Sequence, residues 1–282
     1  MGPILPPTLE PAVTTALLWL VFAGTHIGLT TGRVRGALVA RLGEGGFTAL
    51  FSAVASVTFA AAVAYYAAHR TEGAAGPALA AVAPLRWTLM GIVGLGIVLV
   101  SAGSTAYPGS PYDLFCRTVR APRGIERITR HPFFAGVALF SLAHALLATR
   151  LVGTVAFGGL ALLAIVGAWH QDAKLLARRG EPYADYLAET SAVPLAAAVA
   201  GRQRPVWREL PLGGALAGAG IAVALRMVHD SIFARGGVWV IATVIGAAGV
   251  FTWQSWRRAQ RELRGVDAGG LAYPGRVERP RL

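Results

Sequence analysis

The sequence predicts an all-α fold, a polytopic helical membrane bundle of about seven transmembrane helices, and three observations predict it. Of its 282 residues, 55% are hydrophobic and only 14% are charged, whereas a soluble domain carries about 25% charged residues. Apolar runs recur at about 20 residues, the length that crosses the hydrocarbon layer. The basic residues gather in alternate loops, as they do on the cytoplasmic side of membrane proteins.

The elements follow in order. Met1 to Leu9 lacks a basic n-region and the first apolar run, 12–31, is long enough to span, so no cleavable leader is expected. That run carries His26 among Ala23, Gly24 and Gly28, small residues that let a bulky group approach the helix. A basic loop at 32–45 leads to span two at 46–67, and span three covers 87–105. Residues 107–131, YPGSPYDLFCRTVRAPRGIERITRH, interleave prolines, aromatics and charge, which predicts a structured or re-entrant interfacial segment. The single cysteine, Cys116, lies there; it excludes an intrachain disulfide and a multi-cysteine metal site, and reads as an apolar-like side chain.

Span four, 132–149, holds His144 after Ser141 and Ala143, and span five covers 152–170. The segment 171–190 sets Leu175, Leu176, Tyr183, Tyr186 and Leu187 among charges, which predicts interfacial helices broken at Gly180. With the 107–131 loop it would form a cytoplasmic cap, fastened by Asp172 and Tyr183. Gly201 to Pro211 is polar and punctuated by proline, a linker signature. Two Gly/Ala-rich spans, 212–232 and 236–254, follow. The expected organisation is thus a membrane core at 12–203, two additional helices within 204–256, and a flexible cytoplasmic tail at 257–282. Glycines such as Gly91, Gly94, Gly96, Gly213, Gly214, Gly218 and Gly220 suit close helix packing in lipid.

The net charge of +12 fits the same picture. Arg70, Arg86, Arg150, Arg226 and Arg235 fall on one side or within a span, and the other 21 of the 26 basic residues fall in the 32–45, 106–131 and 171–211 loops and the tail. This bias predicts a multi-pass protein of the inner (plasma) membrane with its N-terminus outside and its C-terminus in the cytoplasm. Membrane lipid is therefore a partner. Nucleic acid is not, because no motif of that class accompanies the charge.

Six histidines remain to be placed. His69, His131, His170 and His229 lie at or near span ends, where a hydrated imidazole costs little, and read as caps or interface partners. His26 and His144 lie inside spans, where an ionisable group is costly and marks a functional site. Imidazole is the commonest protein ligand of a metal. With too little cysteine or carboxylate nearby for a zinc or di-iron cage, haem, which needs one or two axial side chains, is the economical occupant. His131 cannot share a site with His144, since thirteen residues of helix separate them by about 20 Å. His26 lies toward the cytoplasmic end of span one and His144 toward the opposite end of span four, so ligation by both needs helix tilt or a shifted span boundary.

Several segments together resemble the NnrU family and the related 15-cis-zeta-carotene isomerases. They are THIGL at the end of span one, RLGEGGFTALFSAV opening span two, AHRTEG after it, GIERITRHP with LAH thirteen residues after the RHP histidine, and GAWHQDAKLLARRGEPYADYLAETSAVP through GRQ. They cover about 12–203, two-thirds of the chain. The resemblance implies a b-type haem with axial ligands at His26 and His144. The isomerases have a cysteine three residues before the second histidine, implicated in ligand exchange; this chain has Ser141 there, which takes away the thiolate. Arginines are expected on the haem propionates, with Arg127 and Arg130 the cytoplasmic candidates and Arg70 with Arg86 the opposite ones.

The substrate implied is an apolar polyene undergoing cis–trans isomerisation, or nitric oxide, since the NnrU branch is associated with nitrite and nitric oxide metabolism and hence with denitrification. Two other classes compete. RHPFFAG followed by GEPYADY is similar to membrane S-adenosylmethionine-dependent methyltransferases, but their carboxylate pair is replaced by Gln171 and Asp172. The third class is a noncatalytic haem-binding sensor or assembly factor.

Overall fold

The computed structural model describes residue 6 and residues 8–106 and 119–263. Cys116, the 107–118 part of the aromatic loop, most of the stretch before the first span and the tail beyond 263 lie outside the described residues. All regular structure among the described residues is helical: α1 (Glu10–Gly28), α2 (Gly32–His69), α3 (Ala83–Ala106), α4 (Pro132–Leu147), α5 (Leu151–Arg179), α6 (Glu181–Glu189), α7 (Ala196–Val199), α8 (Leu212–Met227) and α9 (Val238–Leu263). Among the described residues four helices are long and apolar enough to cross a membrane: α1, α2, Ala83–Ser104 of α3, and α5. Pro132–Leu147, Leu212–Met227 and Val238–Gln254 are apolar but shorter.

Two boundaries differ from the sequence expectation for identifiable reasons. The basic 32–45 loop is helical instead, its helix breaking at Gly43, where φ 70 and ψ 170 need a residue without a side chain. Arg35 reaches across the break to Glu44 at 2.6 Å. At the other end, span five does not stop at 170. Its helix continues through QDAKLLARR to Arg179 and is broken at Gly180, φ 59, where the sequence placed a break.

The chain divides into two compact units. The first comprises Met1–Gly94, Ala138–Ala164 and Val223–Gly246; the second comprises Leu95–Val137, Ile165–Ala222 and Ala247–Leu282. In the first, Trp19 and Phe22 of α1 and Phe59 and Val63 of α2 form a buried cluster, joined by Leu160, Leu163, Phe233 and Ile241. Trp19 meets Phe22 edge-on at 5.6 Å, and Phe22 lies 5.5 Å from Phe59; such aromatic pairs add about 0.5–1.5 kcal/mol beyond area burial. One turn stitches three helix ends with backbone bonds. Ala74 N donates to Thr8 O at 2.8 Å, Leu151 N to Ala74 O at 2.8 Å, and Gly76 N to Thr149 O at 3.0 Å.

The second unit is built on close helix approach. A methyl group on Gly136 of α4 would stand 2.5 Å from Gly96 O and 2.9 Å from Val100 N of α3, so the two backbones meet where no side chain intervenes. Gly218 of α8 likewise sits on Val98 and Ser101 of α3. Leu175 of α5 packs with Tyr183 and Tyr186 of α6. Large apolar side chains such as Leu20, Val57, Leu162 and Leu216 are about two-thirds exposed on their helices.

Candidate functional site

His144 sits in the last turn of α4, within the first unit. Its Nδ1–H donates to Phe140 O, one turn back, at 2.9 Å. That bond fixes the tautomer and leaves Nε2 as the basic nitrogen, the arrangement that a metal-ligating histidine adopts. Phe140 lies 4.3 Å from the imidazole, centre to centre, and Phe157 of α5 stacks on it at 4.7 Å and 24°. Ser141, fully buried on the preceding turn, has a hydroxyl with no hydrogen-bond partner. The fourth neighbour is one that the sequence did not single out. His229 belongs to a short 3-10 turn, His229–Ser231, between α8 and α9. Its ring centre lies 6.4 Å from that of His144, with the planes only 16° apart. A signal for it was present: counting spans puts the end of the fourth and the start of the sixth-to-seventh connection on one side.

His26 keeps different company. Its ring lies 5.3 Å from Phe22 and 5.0 Å from Phe51. A methyl at Gly24 or Gly28 would meet nothing within 4 Å, so the helix face is open to a bulky neighbour. The depth difference foreseen from the sequence can be put on a scale. α1 and α5 both begin at the Ala74 turn and so run the same way, and Trp19 of α1 fits against Gly159 of α5. His26 is seven residues beyond Trp19, while Phe157, on which His144 stacks, is two residues short of Gly159. At 1.5 Å per residue the backbones of His26 and Phe157 stand at levels about 13 Å apart.

Of the four arginines expected at the propionates, the two cytoplasmic candidates, Arg127 and Arg130, lie in the second unit and bind carboxylates of the chain. Arg130 Nε and Nη2 donate to Asp172 Oδ2 at 3.0 and 2.7 Å, and its Nη1 to Thr190 O at 3.3 Å. His131 Nε2 and Tyr183 OH both stand 2.8 Å from Asp172 Oδ1. Burial and the neighbouring carboxylate push the Tyr183 phenol up, so it stays a donor. Asp172 and Tyr183 therefore do fasten this region, with Arg130 and His131 as the groups they fasten. Arg127 Nε donates to Glu209 Oε2 at 3.0 Å and its Nη1 to Gln203 at 3.1 Å. The Gly124 N–H, then Arg127, holds the Glu209 carboxyl below its usual range. The 201–211 stretch, read as a linker, is thus tied to the GIER turn. Taking a propionate at either arginine would compete with Asp172 or Glu209 for that guanidinium.

Among the described residues no group of three or more His, Cys, Asp or Glu side chains could hold a metal ion. Around His144 the structure brings together one imidazole with a fixed tautomer, a second imidazole ring stacked 6.4 Å away, two phenylalanine rings and a buried hydroxyl without a hydrogen-bond partner.

The sequence pattern described as "NnrU protein" matches residues 14–235, a stretch that takes in His26, His144 and His229. The chain is 30% identical over 202 residues to a chloroplastic 15-cis-zeta-carotene isomerase of Zea mays, covering 68% of this chain and 52% of the relative. It is 31% identical over 204 residues to that of Arabidopsis thaliana, covering 69% and 52%. The chain thus spans about half the length of the curated relatives it matches. No solved structure matches significantly.

Proposed function

The chain belongs to the NnrU protein family, and from that premise we propose that it is an integral membrane b-type haem protein that isomerises a cis double bond in an apolar polyene. The observation that carries this reading is the likeness to 15-cis-zeta-carotene isomerases over two-thirds of the chain. Beside it stands His144, whose tautomer is set for Nε2 ligation within aromatic walls. His144 would hold the iron together with a second histidine, His26 being the one that the family resemblance implies. When bound, the haem would supply an iron able to lend or withdraw electron density at a conjugated bond.

The chain's own part is to hold that centre in an apolar enclosure and to admit a lipid-soluble substrate. Phe140 and Phe157 exclude water from the imidazole. The outward-facing Leu20, Val57, Leu162 and Leu216 suit a hydrocarbon surround. Seven crossings of the plasma membrane, N-terminus outside, accord with the basic-loop bias and with α1 and α5 starting at one turn. Asp172, Arg130, His131 and Tyr183 brace the cytoplasmic face in this arrangement and satisfy one another, which leaves the methyltransferase reading without free groups at the RHP motif.

The test is the full chain purified in mild detergent, examined by absorption and then incubated with 15-cis-zeta-carotene. A Soret band with sharp reduced α/β bands, and a change in the polyene chromatogram that His144→Ala abolishes, is the expected result. A colourless preparation, or haem with no turnover but reversible nitric oxide binding, would overturn the isomerase assignment.

A further inference from the structure

We propose that residues 191–208, the stretch between α6 and α8, dock onto anionic phospholipid of the cytoplasmic leaflet, with Val193, Leu195, Val199 and Trp207 dipping below the headgroups and Arg204 and Arg208 on lipid phosphates. This docking rests on the chain's being a membrane protein and is independent of what His144 holds. Val199 is 88% exposed and Trp207 69%, and Val193 and Leu195 are exposed as well, although none of them lies on a long apolar helix. Apolar side chains displayed next to basic ones suit a segment lying in the membrane interface, and tryptophan favours that depth.

Hydrogen bonds set the level at which the stretch lies. At its start Arg130 N donates to Ser191 O at 2.8 Å, Thr129 Oγ1 to Ala192 O at 2.8 Å, and Leu195 N to Ile128 O at 2.7 Å. Those partners immediately precede α4, which opens at Pro132. At its other end the 3-10 turn Trp207–Glu209 leads within three residues into α8. Two apolar helices thus start beside its two ends, so it lies where such helices leave the hydrocarbon. Leu195 adds a backbone observation. Its φ of 64 and ψ of −8 are in the left-handed region, which is costly for a residue with a side chain. A turn facing water would meet that geometry with glycine or asparagine. Here the position carries an exposed leucine, whose entry into an apolar layer offsets the strain.

Charge complementarity selects the lipid. Between residues 191 and 211 the chain has three arginines and one acidic residue. That acid, Glu209, already accepts from Gly124 N at 2.8 Å and Arg127 Nε at 3.0 Å. Arg202 donates to the Ala188 and Thr190 carbonyls. Arg204 and Arg208 stand exposed on either side of Trp207 along the chain, so the outward charge of the stretch is positive. Each such residue near an anionic membrane surface favours attachment about fivefold.

The experiment places an environment-sensitive fluorophore on Val199→Cys in the full Cys116→Ser chain, reconstituted into vesicles of phosphatidylcholine with or without phosphatidylglycerol. With phosphatidylglycerol the emission should shift to the blue, and a tracer lipid carrying a nitroxide near its headgroup should quench it. The same label on Glu181→Cys, an exposed charged position of α6, should be quenched by aqueous acrylamide instead. Arg204→Gln with Arg208→Gln should return the Val199 label toward water, by about fivefold per arginine in the immersed-to-exposed ratio, and leave the melting temperature in detergent unchanged. A Val199 label open to acrylamide in both kinds of vesicle overturns the proposal. Equal shielding with and without phosphatidylglycerol also overturns it, since the contact then ignores lipid charge. Shielding that vanishes when the protein is diluted in the bilayer gives the face to a second copy and overturns it too. A chain that alkali strips from the vesicles sinks the membrane reading and the docking with it.

Discussion

Four polar contacts converge on the two oxygens of Asp172: two from Arg130, one from His131 and one from Tyr183. Arg130 and His131 reach it from the RHP turn and Tyr183 from α6, so the carboxylate, itself on α5, joins the three at a single point. Removing its charge strands a guanidinium that is only 15% exposed. Breaking a buried pair from one side costs about 3–5 kcal/mol, and the residual exposure puts Asp172→Asn near the lower figure. Thermal unfolding in detergent should show that loss, whereas Glu189→Gln, at an exposed position of α6, should stay within about 0.5 kcal/mol. At this scale the sequence told which residues matter better than what they touch. Asp172 and Tyr183 were legible as fasteners because they sit among apolar residues in a charged stretch. The pairing of Arg130 with Asp172 was not legible, because spacing along the chain does not reveal that a carboxylate 42 residues later returns to it. The approach of His229 to His144 was missed because a separation of 85 positions gives no local pattern.

Between elements, contact is made through glycine. Gly136 and Gly91 look alike in sequence, yet a methyl at Gly136 would strike the α3 backbone at Gly96 O, and one at Gly91 would meet nothing within 4 Å. Gly136→Ala must therefore push α4 off α3, at about 1–3 kcal/mol, as overpacking does. Gly91→Ala should be neutral. Paired melting curves, with haem uptake measured alongside, check both. Helix positions were readable from apolar run length alone. Helix ends were less so: the break at Gly43 and the extension of α5 to Arg179 depend on backbone geometry and on good helix formers continuing past the apolar window.

For the whole molecule the all-helical class was evident from composition, and the number of crossings is the quantity to measure. α4 and α8 have 16 residues each, about 24 Å at 1.5 Å per residue, a little short of a ~30 Å hydrocarbon layer. Such a deficit is met by local thinning or snorkelling at modest cost. Single cysteines introduced into a Cys116→Ser background locate the ends. A membrane-impermeant maleimide should label Glu72→Cys in intact cells and Arg204→Cys only after permeabilisation. The opposite pattern would invert the topology.

The Ala74 turn bears on how the chain is made. Its bonds join Thr8, the 73–78 stretch and 148–151, and Gly76 lies so close that a methyl there would stand 2.6 Å from Ala148 O. Because backbone groups carry the joint, most side chains around it are free to vary, and Gly76 is not. During synthesis the clasp cannot close until residue 151 has left the ribosome. The first helices thus wait, unlatched, for the fifth to arrive, and the start of α5 acts as the key that completes the N-terminal half in time as well as in space.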